Sequence, residues 1–109
     1  EALIEVINKG EIGQKYCIGG NEERSNNEIA EIICNYLDVI HPRNNTFKEL
    51  IKFVEDRKGH DFRYAINAKK IKNTLNWEPK FTFNKGIENT VNWDLKNQAW
   101  CEKILSKNY

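Results

Sequence analysis

Asp56-Arg57-Lys58-Gly59-His60-Asp61 packs two cations, one imidazole and two carboxylates around a glycine, directly after the apolar pair Phe53-Val54. An arginine offers a planar fork that grips a phosphate through two parallel hydrogen bonds, and a glycine lets the backbone approach closely. His60 has the chemistry of an acid or base, or of a cation beside a phosphate. Taken alone, these residues fit either an anion-binding loop or a solvated charged turn. A second stretch, Gly19-Gly20-Asn21-Glu22-Glu23-Arg24-Ser25-Asn26, sets paired glycines between an apolar run and a helix start. An anion or a sugar hydroxyl can dock at such a place, and an ordinary turn with a cap fits it equally well. Neither stretch has the GxGxxG or GxxxxGK[ST] spacing of the known phosphate loops.

Neither histidine has a nucleophile beside it in the sequence. His41 precedes Pro42 and reads as a helix-end residue, while Glu22-Glu23 reads as a solvated face. No catalytic residue is expected within these 109 residues. Cys17, Cys34 and Cys101 are far apart and lack the close ligand pairs that chelate zinc, so no metal site is expected. Free thiols favour a reducing, cytoplasmic setting.

The elements that must position these residues follow from periodicity. Leu3, Ile4 and Ile7 share one face of a helix over Ala2 to Lys9, and Gly10 offers the left-handed conformation that ends one. Lys15 to Ile18 reads as a short strand after a turn at Gly13, as do Phe53-Val54 and Tyr64 to Ile66. Ser25 and Glu28 have capping-box spacing ahead of the stripe Ile29, Ile32, Ile33, Tyr36, Leu37 and Ile40, which His41-Pro42 stops. Phe47 to Ile51 fits one helical turn. Asn67 can cap a helix carrying Ile71 and Leu75, broken at Trp77-Glu78-Pro79. One last long helix begins at Thr82 or Asn84, with Phe83 stapled against Ile87. Trp77, Trp93 and Trp100 carry apolar area suited to a seam.

A length of 109 residues fits one domain, and a formal net charge of +1 argues against a nucleic-acid footprint. No apolar run reaches the roughly 20 residues of a membrane helix. The chain has no Met and opens on Glu1, so it is expected to belong to a longer polypeptide. Three or four helices with short strands make a mainly helical, α+β-like subdomain, its strands pairing beyond the segment.

The order of these motifs resembles the dTDP-glucose 4,6-dehydratases of the extended short-chain dehydrogenase/reductase superfamily. Gly13 to Asn26 is similar to that family's "GETYNIGG…NE…N", and Val54 to Asn67 to its "V.DRPGHD.RYAID". Leu75-Asn76-Trp77-Glu78-Pro79 resembles its "LGW.P", and Phe83 to Trp93 its "F..GI..TV.WY". The resemblance implies an α/β, Rossmann-type parent enzyme, with residues 1–109 as its C-terminal sugar-nucleotide-binding portion and the Rossmann domain on the N-terminal side. It implies an NAD-dependent lyase, usually a homodimer, that converts dTDP-glucose to dTDP-4-keto-6-deoxyglucose. The glycine fingerprint and the catalytic residues would lie in that other portion, so this chain alone is expected to be inactive and to bind no NAD by itself.

The resemblance further implies a sugar-nucleotide contact for Asn26, a diphosphate contact for Arg57, and places for Asp56, Gly59 and His60 in the same substrate-binding loop. Lys58 stands where the family usually has Pro, and Cys17 where it usually has Asn. Two other readings are a stand-alone sugar-nucleotide-binding module and part of a related nucleotide-sugar epimerase or decarboxylase. Base preference would separate the last of these.

Overall fold

The computed structural model describes residues 1–106 and consists of helices joined by extended segments and turns. In chain order these are α1 (Ala2–Lys9), α2 (Asn26–Ile40), a single 3₁₀ turn (Phe47–Leu50), α3 (Lys69–Leu75), α4 (Phe83–Lys96) and α5 (Gln98–Leu105). They sort into two compact units, each assembled from two stretches of chain. The first unit holds residues 1–24 and 53–82, and the second begins with residues 25–52 and resumes at Phe83.

The first unit closes around Ala2, Ala68, Ile71 and Leu75, with Val6, Tyr16, Ile18 and Trp77 packed against them. Helices α1 and α3 therefore meet through their small and branched residues. Leu3, Ile4 and Ile7, by contrast, are exposed. The inward-facing residues of α1 are Ala2 and Val6, four apart and so on one face. Asn76 ends α3 in the left-handed conformation at φ 51°, one residue before the expected break at Trp77. Asn67 reaches the start of α3 as expected, its Oδ1 accepting from the Lys69 amide at 3.0 Å, although Ala68 occupies the cap position.

The second unit pairs α2 with α4 and with the 3₁₀ turn, and α4 with α5. The Ser25–Glu28 capping box forms in full. The Ser25 hydroxyl accepts from the Glu28 amide at 3.2 Å, and the Glu28 carboxylate accepts from the Ser25 amide at 2.7 Å. Asp38 ties the end of α2 to the 3₁₀ turn by accepting from the Thr46 hydroxyl and from the Phe47 amide. Tyr36 Oη and Asn92 Nδ2 join α2 to α4 at 2.6 Å.

Three expectations are corrected. The segments at 15–18, 53–54 and 64–66 are extended, yet no strand forms among the described residues. An extended run becomes a strand only when a neighbour takes its alternate amides and carbonyls. The last long helix is two: the Asn97 side-chain amide donates to the Trp93 carbonyl at 2.7 Å, and Asn97 itself leaves helical geometry. A short polar side chain bonding its own backbone competes with the helix in this way. Gly10 is extended, at φ −68°, not left-handed. Its lack of a Cβ serves close approach instead, because a Cβ there would lie 2.4 Å from the Val6 carbonyl oxygen.

Candidate functional site

Residues 56–60 form a turn held from within. The Arg57 carbonyl accepts from the His60 amide at 3.3 Å, which closes a four-residue turn. Gly59, third in that turn, has φ +72°, whereas Lys58 ahead of it keeps a negative φ. This is the type II pattern, which calls for glycine at its third position and accommodates proline at its second.

Asp56 Oδ1 accepts twice into the same turn, from the Arg57 amide at 2.8 Å and from the His60 ring. The His60 Nδ1–Asp56 Oδ1 separation is 2.7 Å. The bond to His60, followed by that from the Arg57 amide, holds the Asp56 carboxyl below its usual range. A carboxylate can only accept, so Nδ1 carries the proton and Nε2 is left for other partners. The His60 side chain is 26% exposed and that of Asp56 74%.

The cations of the turn stand differently from their neighbours. Arg24 pairs with Glu22, Arg63 pairs with Glu23, and Arg43 donates to the carbonyls of Asn45 and Thr46. Arg57 is exposed, and among the described residues its guanidinium has no ion pair or hydrogen bond. Five N–H donors are therefore left to a ligand.

The Gly19-Gly20-Asn21 segment lies in the same unit. Gly19 permits close packing, since a Cβ there would come within 3.1 Å of the Ile66 side chain. Asn21 is left-handed at φ 53°. Two clefts are lined by this segment. One, of about 260 Å³, is lined by Lys72, Trp77, Lys80 and Phe81 among others. The other, of about 230 Å³, runs along Glu22, Glu23, Tyr64 and Ile66. Arg63 Nε donates to Glu23 Oε2 at 2.6 Å and ties the stretch after the turn to the stretch after the two glycines. Neither cleft nor this tie carries a local sequence signal, because the partners are some 40 residues apart.

The structure thus brings Asp56, Arg57, Gly59 and His60 into one turn. Asn26 is exposed at the first position of α2, in the second unit. The helix start there does not fit a dinucleotide pyrophosphate, because the Ser25 hydroxyl and Glu28 carboxylate already occupy the places where an anion would sit. Among the described residues no cluster of three metal-ligating side chains occurs, and no helix is long and apolar enough to cross a membrane.

Residues 1–90 match the family model described as GDP-mannose 4,6 dehydratase, and the chain belongs to that family. It is 46% identical to a dTDP-glucose 4,6-dehydratase of Xanthomonas campestris pv. campestris strain B100, over all of this chain and 32% of the relative. It is 44% identical to dTDP-glucose 4,6-dehydratase 1 of Escherichia coli K12, over 99% of this chain and 30% of the relative. The crystal structure of a Bacillus anthracis dTDP-glucose 4,6-dehydratase in complex with NAD superposes with a TM-score of 0.79 at 45% identity, covering 91% of this chain and 29% of that one. The chain therefore spans about a third of the length of these relatives.

Proposed function

We propose that this chain is the sugar-nucleotide-binding portion of a dTDP-glucose 4,6-dehydratase, a homodimeric NAD-dependent lyase of the cytoplasm. The observation that carries the reading is Arg57, the arginine whose guanidinium has no partner among the described residues, held on a turn braced by Asp56 and Gly59. Arg57 takes the diphosphate in bidentate fashion. Asp56, Gly59 and His60 complete the loop around it, and Asn26 contacts the nucleotide sugar. NAD supplies hydride transfer when bound, and its binding groups belong to other parts of the enzyme. This chain orients the substrate and contributes no proton-transfer group.

Removing a charge-assisted bond of this kind costs about 1.5–3 kcal/mol, so Arg57→Ala in the full-length protein is expected to weaken dTDP-glucose binding by about ten- to a hundredfold. The melting temperature should stay unchanged, because the side chain is exposed. Isothermal titration calorimetry reads the affinity, and an affinity equal to wild type removes the assignment. Tighter binding of UDP-glucose than of dTDP-glucose would instead favour an epimerase or decarboxylase.

A further inference from the structure

Within the reading of this turn as a ligand-binding loop, we propose that Asp56 is a positioning residue that fixes the His60 ring, so that His60 Nε2 accepts a hydrogen bond from a ligand hydroxyl while Arg57 holds the phosphate. An exposed carboxylate beside a diphosphate would repel it. Asp56 avoids facing the ligand with both oxygens because Oδ1 is turned inward onto two N–H groups of its own loop, the Arg57 amide at 2.8 Å and His60 Nδ1 at 2.7 Å. With its hydrogen on Nδ1, the imidazole in its neutral form has one remaining polar atom, Nε2, and in that form the atom is an acceptor. It has no partner among the described residues, and the side chain retains access to solvent.

An acceptor at that point suits a hydroxyl donor and does not suit a bare phosphate oxygen. The neighbouring guanidinium suits the phosphate. The ligand class that satisfies both atoms is a phosphorylated, hydroxyl-bearing molecule such as a nucleoside diphosphate sugar. The same carboxylate also accepts from the Arg57 amide, so it braces the backbone from which both recognition side chains extend.

The test uses the full-length protein labelled with 15N-histidine, at a pH about two units above the usual imidazole value. In the wild type, His60 is expected as the Nδ1–H tautomer; Asp56→Ala should shift it to Nε2–H and weaken dTDP-glucose binding about three- to tenfold. Asp56→Asn keeps an acceptor oxygen in place and should hold both the tautomer and the affinity within about twofold of wild type. Three results would overturn the proposal. The first is an Nε2–H ring in the wild type, and the second is an Asp56→Ala protein with unchanged tautomer or unchanged affinity. The third is an Asp56→Asn protein as weak as Asp56→Ala. If the tautomer responds as expected while Arg57→Ala binds dTDP-glucose like wild type, the ligand-binding reading of the loop fails and the Asp56–His60 geometry stands.

Discussion

Gly59 shows what one residue contributes to the turn. At φ +72° any side chain pays for the left-handed backbone, yet a Cβ there would meet nothing within 4 Å. The cost of Gly59→Ala is therefore purely conformational, expected at about 1 kcal/mol as a lower urea midpoint. Lys58 is the opposite case. It sits at the second position of a type II turn with negative φ, a place that suits proline. Lys58→Pro should raise stability by about 0.4–1 kcal/mol through the unfolded chain, and dTDP-glucose affinity should rise because less loop is ordered on binding. A lowered midpoint in that variant would show that the turn is not of this type.

The helices owe their limits to polar side chains more than to apolar periodicity. Ser25 caps α2, and Ser25→Ala is expected to cost about 1 kcal/mol in chemical denaturation. Asp38 does comparable work at the other end of that helix. The Thr46 hydroxyl and the Phe47 amide hold its carboxyl below its usual range. A depressed folded value means that the stabilisation is complete above the ordinary aspartate pKa and is lost as the pH falls through the lowered value. Urea midpoints should therefore fall in the wild type as the pH drops below the ordinary aspartate value of about 4, with a shallower fall in Asp38→Asn. An equal slope in the two proteins would remove Asp38 from the acid response. Glu1, Asp56 and Glu78 are depressed in the same sense by Lys80, His60 and Lys72, and they add to the wild-type slope.

For the molecule as a whole, apolar burial is sparse. Ile71 is fully buried, and only Ala2, Ala68, Leu75 and Val91 join it among the buried hydrophobic residues described. Ile71→Ala should cost about 2–5 kcal/mol, enough to unfold the first unit. Phe53, Val54, Phe62, Ile12 and Ile7 are all more than 80% exposed. Scattered apolar residues are normal on a surface, but this proportion to so small a core is not. The 109-residue chain by itself should bind a hydrophobic dye and self-associate heterogeneously on gel filtration, whereas a longer protein that covers these residues should leave the dye dark and elute as one defined species no larger than the dimer. A dye-silent, monomeric chain would contradict this.

Local chemistry determined much of what was legible. The Ser25–Glu28 box, the stop at His41-Pro42, the reach of Asn67 and the helix over Ala2–Lys9 each depend on residues at most four or so apart, and each appears as its spacing requires. The resemblance to the dehydratases was legible for the same reason, because its motifs are short and continuous. Other features were decided by tertiary structure alone. Extended runs stayed without ladder partners, since pairing is set by what lies alongside and not by propensity. The Arg63–Glu23 and Lys70–Gln14 contacts, 40 and 56 residues apart, join segments that no spacing rule links. That Arg57, alone among the four arginines, should have no side-chain partner among the described residues, and that Asp56 should bond His60, follow from where the fold leaves the nearest opposite charge. Charge and hydrogen-bonding capacity are properties of the sequence, but which groups satisfy one another is a matter of distances only the folded chain fixes.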